Sequence, residues 1–189
     1  MKICGITSPG DALLAEAAGA DLIGVVLHSA SPRCVTTEQA REIFEAVPAM
    51  TRVCVTHSAI PGELREICSL RPDAMQVSCS APVPAECRAR VIRMVAPGDS
   101  SPPDADLLIV DGSHGTGKAV DMAFASAIVS ASRIPVLLAG GLSPANVEAA
   151  IRTVRPCGVD VASGVEYSPG KKDPEKVRAF IGAAKRVVV

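Results

Sequence analysis

The chain has 189 residues, of which 48% are hydrophobic, a length and composition that exclude intrinsic disorder and fit one fully cored domain spanning residues 1–189. Nineteen Lys and Arg nearly balance 20 Asp and Glu, which leaves no electrostatic footprint for nucleic acid or an anionic membrane and points to a small-molecule partner. Seven cysteines without a CxxC pair form neither a zinc-site spacing nor a disulfide framework. They read as reduced thiols in a cytoplasmic protein that binds no metal.

The first seven residues, Met1-Lys2-Ile3-Cys4-Gly5-Ile6-Thr7, read as a buried strand that stops on a thiol and turns at Gly5. Ser8 and Pro9 then supply the cap and first residue of a helix over Pro9–Ala18, with Gly19 as its stop. Asp21–Leu27 is a nearly continuous apolar run of the kind buried on both faces in a parallel sheet, followed by a polar loop through Ser31-Pro32-Arg33. A helix over Thr37–Val47, a strand at Arg52–Thr56, a helix over Pro61–Leu70 and a strand at Ala74–Val77 continue the alternation.

The pattern then weakens. Pro82 and Pro84 leave room only for a brief helix around Ala85–Ala89, and the proline-rich stretch Ala96–Asp104 after a strand at Val91–Val95 suggests a unit without its helix. Regularity returns with a strand at Leu107–Val110 ending on Asp111, a glycine-rich loop over Gly112–Lys118, and a helix over Met122–Ser130. A strand at Pro135–Ala139 ends in Gly140-Gly141, a helix runs from Ser143-Pro144 to about Thr153, and the last strand, Gly158–Ala162, precedes Ser163-Gly164-Val165-Glu166 and a helix over Pro174–Arg186. Eight strands alternating with about seven helices predict an α/β fold, a single-domain TIM (β/α)8 barrel, compact, with the fifth helix degenerate or missing.

In such a barrel all the strand tips share one face. Cys4 stands at a tip, and a thiol with an ordinary pKa near 8.5 needs only modest tuning to act as a base. Asp111 closes an apolar strand, where an unpaired carboxylate would be costly, and so reads as a general acid or as a cap on the glycine-rich loop. Asp160, inside the last strand, follows the same logic and is a candidate substrate-binding residue. Gly140-Gly141 and Ser163-Gly164 allow backbone amides to approach an anion after the last two strands, where this fold commonly holds phosphate. Arg33 offers a planar fork for a carboxylate. Gly112–Lys118 has the spacing of a nucleotide-binding P-loop, but Ala119 stands where that motif needs Ser or Thr.

With these residues in view, the chain resembles the phosphoribosylanthranilate isomerase family of tryptophan synthesis. The matching blocks are Lys2–Thr7, Gly19–Gly24, Ser31-Pro32-Arg33, Gly115–Lys118, Leu138–Leu142 and Gly158–Glu166, which together span essentially the whole chain. The resemblance implies a compact barrel that carries out an Amadori rearrangement of a phosphosugar without a cofactor, and the chain is expected to work as a monomer. It assigns Asp111 as the general acid, Cys4 as the general base, Arg33 to the anthranilate carboxylate, and the amides around Gly141 and Ser163-Gly164 to the phosphate. One block departs: the family's Gln-Leu-His-Gly at the end of the fourth strand is here Gln76-Val77-Ser78-Cys79. Two other readings stay open on the sequence, a related phosphosugar aldose-ketose isomerase and a phosphosugar-binding barrel without catalysis.

Overall fold

The computed structural model describes residues 1–99, 102, 104–111 and 121–187. Eight parallel strands close into a barrel in sequence order: β1 (Lys2–Cys4), β2 (Leu22–Val26), β3 (Thr51–Val55), β4 (Ala74–Ser78), β5 (Arg90–Val95), β6 (Leu107–Val110), β7 (Val136–Leu138) and β8 (Gly158–Val161). The closing seam pairs Lys2 with Asp160 and Ile3 with Val161. Helices α1 (Pro9–Ala18), α2 (Thr37–Ala46), α3 (Pro61–Ser69), α4 (Met122–Ala131), α5 (Val147–Val154) and α6 (Pro174–Lys185) pack outside it.

Side chains alternate along each strand, so the barrel builds two cores. Outward residues such as Ile3, Ile23, Val25, Met75 and Val77 meet the buried faces of the helices, for example Ile43 and Phe44 of α2. Inward residues Val26, Val53, Val55, Ala74, Ile92, Ile109 and Leu137 fill the barrel around Cys4. Local chemistry sets the helix starts. Ser8 accepts from the Asp11 amide, Thr36 and Gln39 form a reciprocal capping box, and Asp173 accepts from the Glu175 and Lys176 amides.

The structure corrects the expected helix around Ala85–Ala89, which is only a turn. The Cys87 amide donates to Pro84 O at 2.9 Å, and between Pro84 and the start of β5 there are too few residues to nucleate a helix. Among the described residues six α-helices flank the barrel, and none lies between β5 and β6. Arg93 fills the gap on that side. Its guanidinium, 3% exposed, reaches the carbonyls of Ser78, Ala81 and Asp104 and the Asp104 carboxylate at 2.8 Å. The fifth-helix gap is therefore closed by a charged side chain rather than by packing of a helix.

Two further differences lie in the loops after β7 and β8. The helix expected from Ser143-Pro144 begins at Val147, because the Asn146 side chain ties the preceding turn, accepting from the Ser143 amide at 2.7 Å and donating to Gly141 O at 2.9 Å. After a short 3₁₀ turn at Ser163–Val165, the chain forms a small antiparallel ribbon, β9 (Glu166–Ser168) with β10 (Lys171–Lys172), that the sequence pattern does not announce. The glycine-rich loop Gly112–Lys118 lies outside the described residues.

Candidate active site

Alternation places Lys2 and Cys4 on the inner face of β1, with Ile3 between them pointing to the helices. Cys4 pairs in register with Gly24 on β2, and a side chain at 24 would stand 2.9 Å from the thiol sulfur and 3.1 Å from Lys2 Nζ. Glycine there makes room for a thiol and an ammonium side by side.

The charges below and beside Cys4 form a chain. Lys2, fully buried, bonds Asp160 Oδ1 at 2.9 Å. Burial alone would lower its pKa, but Asp160 more than compensates and holds it above the ordinary lysine value. Burial pushes the Cys4 thiol up, with the Lys2 charge as the chief counterweight. On the other side Lys172 Nζ donates to Cys4 O at 2.6 Å, to Ala162 O at 3.2 Å and to Glu166 Oε1 at 2.9 Å. Burial draws Lys172 below the usual lysine range, against the pull of Glu166.

Glu166 also receives Arg33 in a two-pronged pair, Nε to Oε1 at 2.9 Å and Nη2 to Oε2 at 2.8 Å. Burial alone would raise its pKa, but Arg33 and Lys172 outweigh it and hold the carboxyl below its ordinary value. Glu166 and Lys172 thus position Arg33 and brace the end of β1. The ribbon β9–β10 exists at this point to deliver both residues.

A cavity of about 320 Å³ opens at the C-terminal mouth of the barrel. Its lining contains Cys4, Arg33, Asp111, Gly140, Gly141, Asp160 and Ser163, so it gathers the site residues expected from sequence on one surface. Gly164 lies behind that lining: a side chain there would meet Leu142 O at 1.8 Å, which locks the loops after β7 and β8 together. Gly140 and Gly141 adopt φ of 95° and 62°, a turn that favours glycine, and the 3₁₀ turn at Ser163 presents the start of a short helix to the same side of the cavity. Asp160 reaches the cavity floor, but its carboxylate is held by Lys2 rather than offered outward.

Among the lining residues that sequence reasoning did not single out are His57 just past β3 and Gln76 on β4. Gln76 carried a legible signal, a polar residue in phase with inward Ala74 in a strand otherwise apolar up to its last residue, Ser78. His57 carried none, since it lies just past the strand in a polar loop. Neither Cys34 nor Cys79 is among the described residues that line the cavity. Among the described residues, no three or more His, Cys, Asp or Glu side chains are grouped to hold a metal ion.

The family model described as N-(5'-phosphoribosyl)anthranilate (PRA) isomerase matches residues 1–183. An N-(5'-phosphoribosyl)anthranilate isomerase of Methanoregula boonei is 52% identical over 187 residues, covering 98% of this chain and 96% of its own length. The crystal structure of phosphoribosyl anthranilate isomerase from Thermus thermophilus superimposes with a TM-score of 0.85 at 36% identity, covering 99% of this chain and 98% of that one. A phosphoribosyl anthranilate isomerase in complex with reduced 1-(o-carboxyphenylamino)-1-deoxyribulose 5-phosphate is similar at a TM-score of 0.79 and 33% identity, covering 98% of this chain and 97% of that one. A family match over nearly the whole chain, joined to a barrel whose mouth holds a thiol, a carboxylate and glycine-lined loops, has one consequence: the chain belongs to the N-(5'-phosphoribosyl)anthranilate isomerase family.

Proposed function

We propose that the chain converts N-(5-phosphoribosyl)anthranilate into 1-(2-carboxyphenylamino)-1-deoxyribulose 5-phosphate, in tryptophan synthesis, by general acid-base catalysis. The observation that carries this reading is the placement of Cys4 and Asp111 on separate strand tips around one cavity whose β7–β8 side is built from glycine turns and a short helix start. Asp111 donates its proton to the furanose oxygen as the C1–O bond breaks, leaving a protonated Schiff base between C1 and the anthranilate nitrogen. Cys4 then takes the proton from C2, and the electron pair of that bond moves to form the enolamine, which tautomerises to the aminoketose.

Burial favours the neutral thiol of Cys4 in the resting site, and Lys2 opposes it. The positive iminium formed in the first step adds a further cation to Lys2 and Lys172 near the sulfur, so the thiolate becomes most favourable when the base is needed. The phosphate sits against the amides around Gly141 and Ser163-Gly164. Arg33 gives Nε and Nη2 to Glu166 and retains the other N–H groups of its fork for the substrate carboxylate. In this reading the 189 residues work as a single-domain monomer in the cytoplasm, without cofactor or metal. Among the described residues no helix is long and apolar enough to cross a membrane.

The test follows the loss of anthranilate-type fluorescence as freshly generated substrate is consumed, in wild type, Cys4→Ser and Asp111→Asn. Turnover by wild type with a loss of about 100-fold or more in each variant supports both roles. A wild-type chain that binds a product analogue without turnover would instead mark a binding barrel.

A further inference from the structure

Gln76 is 4% exposed, and its Oε1 is buried with no hydrogen-bond partner among the described residues. The same side chain lines the cavity. A buried acceptor left unpaired is a cost to the resting fold, and one on a side chain that lines a binding cavity calls for a donor from the ligand.

The barrel order says which part of the ligand that is. β4 lies four strands from β8, diametrically across the barrel, so Gln76 faces the glycine turns and the Ser163 helix start from the opposite wall. Its cavity neighbours from the flanking strands are Val55 on β3 and Met94 on β5, both apolar and suited to an aromatic ring. With the phosphate anchored on the far side, the aromatic amine end of the substrate reaches this wall. Resting on the isomerase reading above, we propose that Gln76 Oε1 accepts a hydrogen bond from the bridging N–H between the anthranilate ring and the sugar, making Gln76 a substrate-binding residue for the reacting nitrogen.

That nitrogen carries a hydrogen in each stage of the reaction: secondary amine, protonated Schiff base, enolamine. It is the strongest donor as the Schiff base, when it bears the positive charge. The amide oxygen therefore binds the charged intermediate, and the transition states flanking it, more tightly than the substrate, which directs its effect to kcat rather than KM. Because the acceptor has no protein partner in the resting site among the described residues, removing it relieves the fold while it injures the reaction.

The experiment uses Gln76→Met, which preserves length, and Gln76→Leu, with kcat and KM from the fluorescence assay, thermal unfolding, and binding of two product analogues. One analogue is the reduced product with its bridging N–H, and the other has an ether oxygen in place of that nitrogen. The expected result is a fall in kcat of about 10- to 100-fold with a smaller change in KM, an equal or higher melting temperature, and loss in both variants of the wild type's preference for the amine over the ether. A melting temperature that falls while the preference survives would overturn the proposal by making Gln76 structural. So would a wild type that binds both analogues equally. A wild type without turnover fails the isomerase reading itself, whereas an active wild type with unaffected Gln76 variants sinks only this assignment.

Discussion

Lys2 and Asp160 face each other across the seam that closes the barrel, paired in register and joined Nζ to Oδ1 at 2.9 Å, directly beneath Cys4. Both are buried, so neither can be removed alone without stranding the other's charge in the barrel. Lys2→Met is expected to destabilise the fold by about 3–5 kcal/mol in denaturant titration. The paired change Lys2→Met with Asp160→Leu is expected to recover most of that loss. Independent, additive costs would show that the two side chains do not act as a pair.

The same lysine bears on the pH at which Cys4, the proposed base, would work. A general base acts only when deprotonated, and burial raises the Cys4 pKa, so kcat/KM is expected to climb with pH along a limb that ends above the ordinary thiol value. Lys2 is the chief charge opposing burial, so Lys2→Met, assayed where it remains folded, moves that limb to still higher pH. A profile from about pH 6 to about pH 10 reads both. A limb below the free-thiol value in wild type would contradict the electrostatic account of the site.

The order of strands and most helix starts were legible because they rest on local chemistry: apolar runs, Ser8-Pro9, Thr36, the proline at 174. The strand tips followed from topology, since parallel units place Cys4, Asp111 and the glycines at 140 and 141 on one face whatever their sequence separation. The ion pairs were not legible. Lys2 looks like an ordinary N-terminal lysine, and Glu166 and Lys172 like loop charges, until closure brings residue 2 beside 160 and the β9–β10 ribbon folds back on Arg33. Asp160 reads as a candidate substrate-binding carboxylate, and nothing in the sequence signals that closure of the barrel sets Lys2 on its Oδ1. The helix at Ala85–Ala89 failed because residue propensity there has too few residues to act on.

Glu166 gives the pH dependence of stability an acid arm. Its folded pKa lies below its ordinary value, so its contribution is complete above the unfolded carboxyl pKa and is lost as pH falls through the folded one. Glu166→Gln keeps the shape but leaves Lys172 and Arg33 without their counter-charge, and is expected to cost about 3–5 kcal/mol at neutral pH. The difference between wild type and variant should begin to shrink as the pH drops below the ordinary carboxyl pKa of about 4.3, and close only below the lower folded value, where the wild-type carboxyl is neutral too. Urea unfolding at a series of pH values measures this directly. A gap independent of pH would mean that packing, not charge, holds the ribbon.

The loops proposed to hold the phosphate depend on the absence of one methyl group. At Gly164 a Cβ would stand 1.8 Å from Leu142 O, a backbone atom that no rotamer change can move. Gly164→Ala must therefore push the loop after β8 away from the loop after β7, separating the amides at Ser163-Gly164 from those at Gly141. The expected result is a rise in KM of about 10-fold or more, with inorganic phosphate weakened as a competitive inhibitor to a similar degree. Gly62→Ala provides the contrast, because that glycine lies in the first turn of α3 with nothing within 4 Å of an added Cβ. It should leave KM unchanged and stabilise the fold by about 0.4–1 kcal/mol through lost freedom in the unfolded chain. If Gly164→Ala retained wild-type affinity for phosphate, the anion would have to be held by something other than the apposition of these two loops.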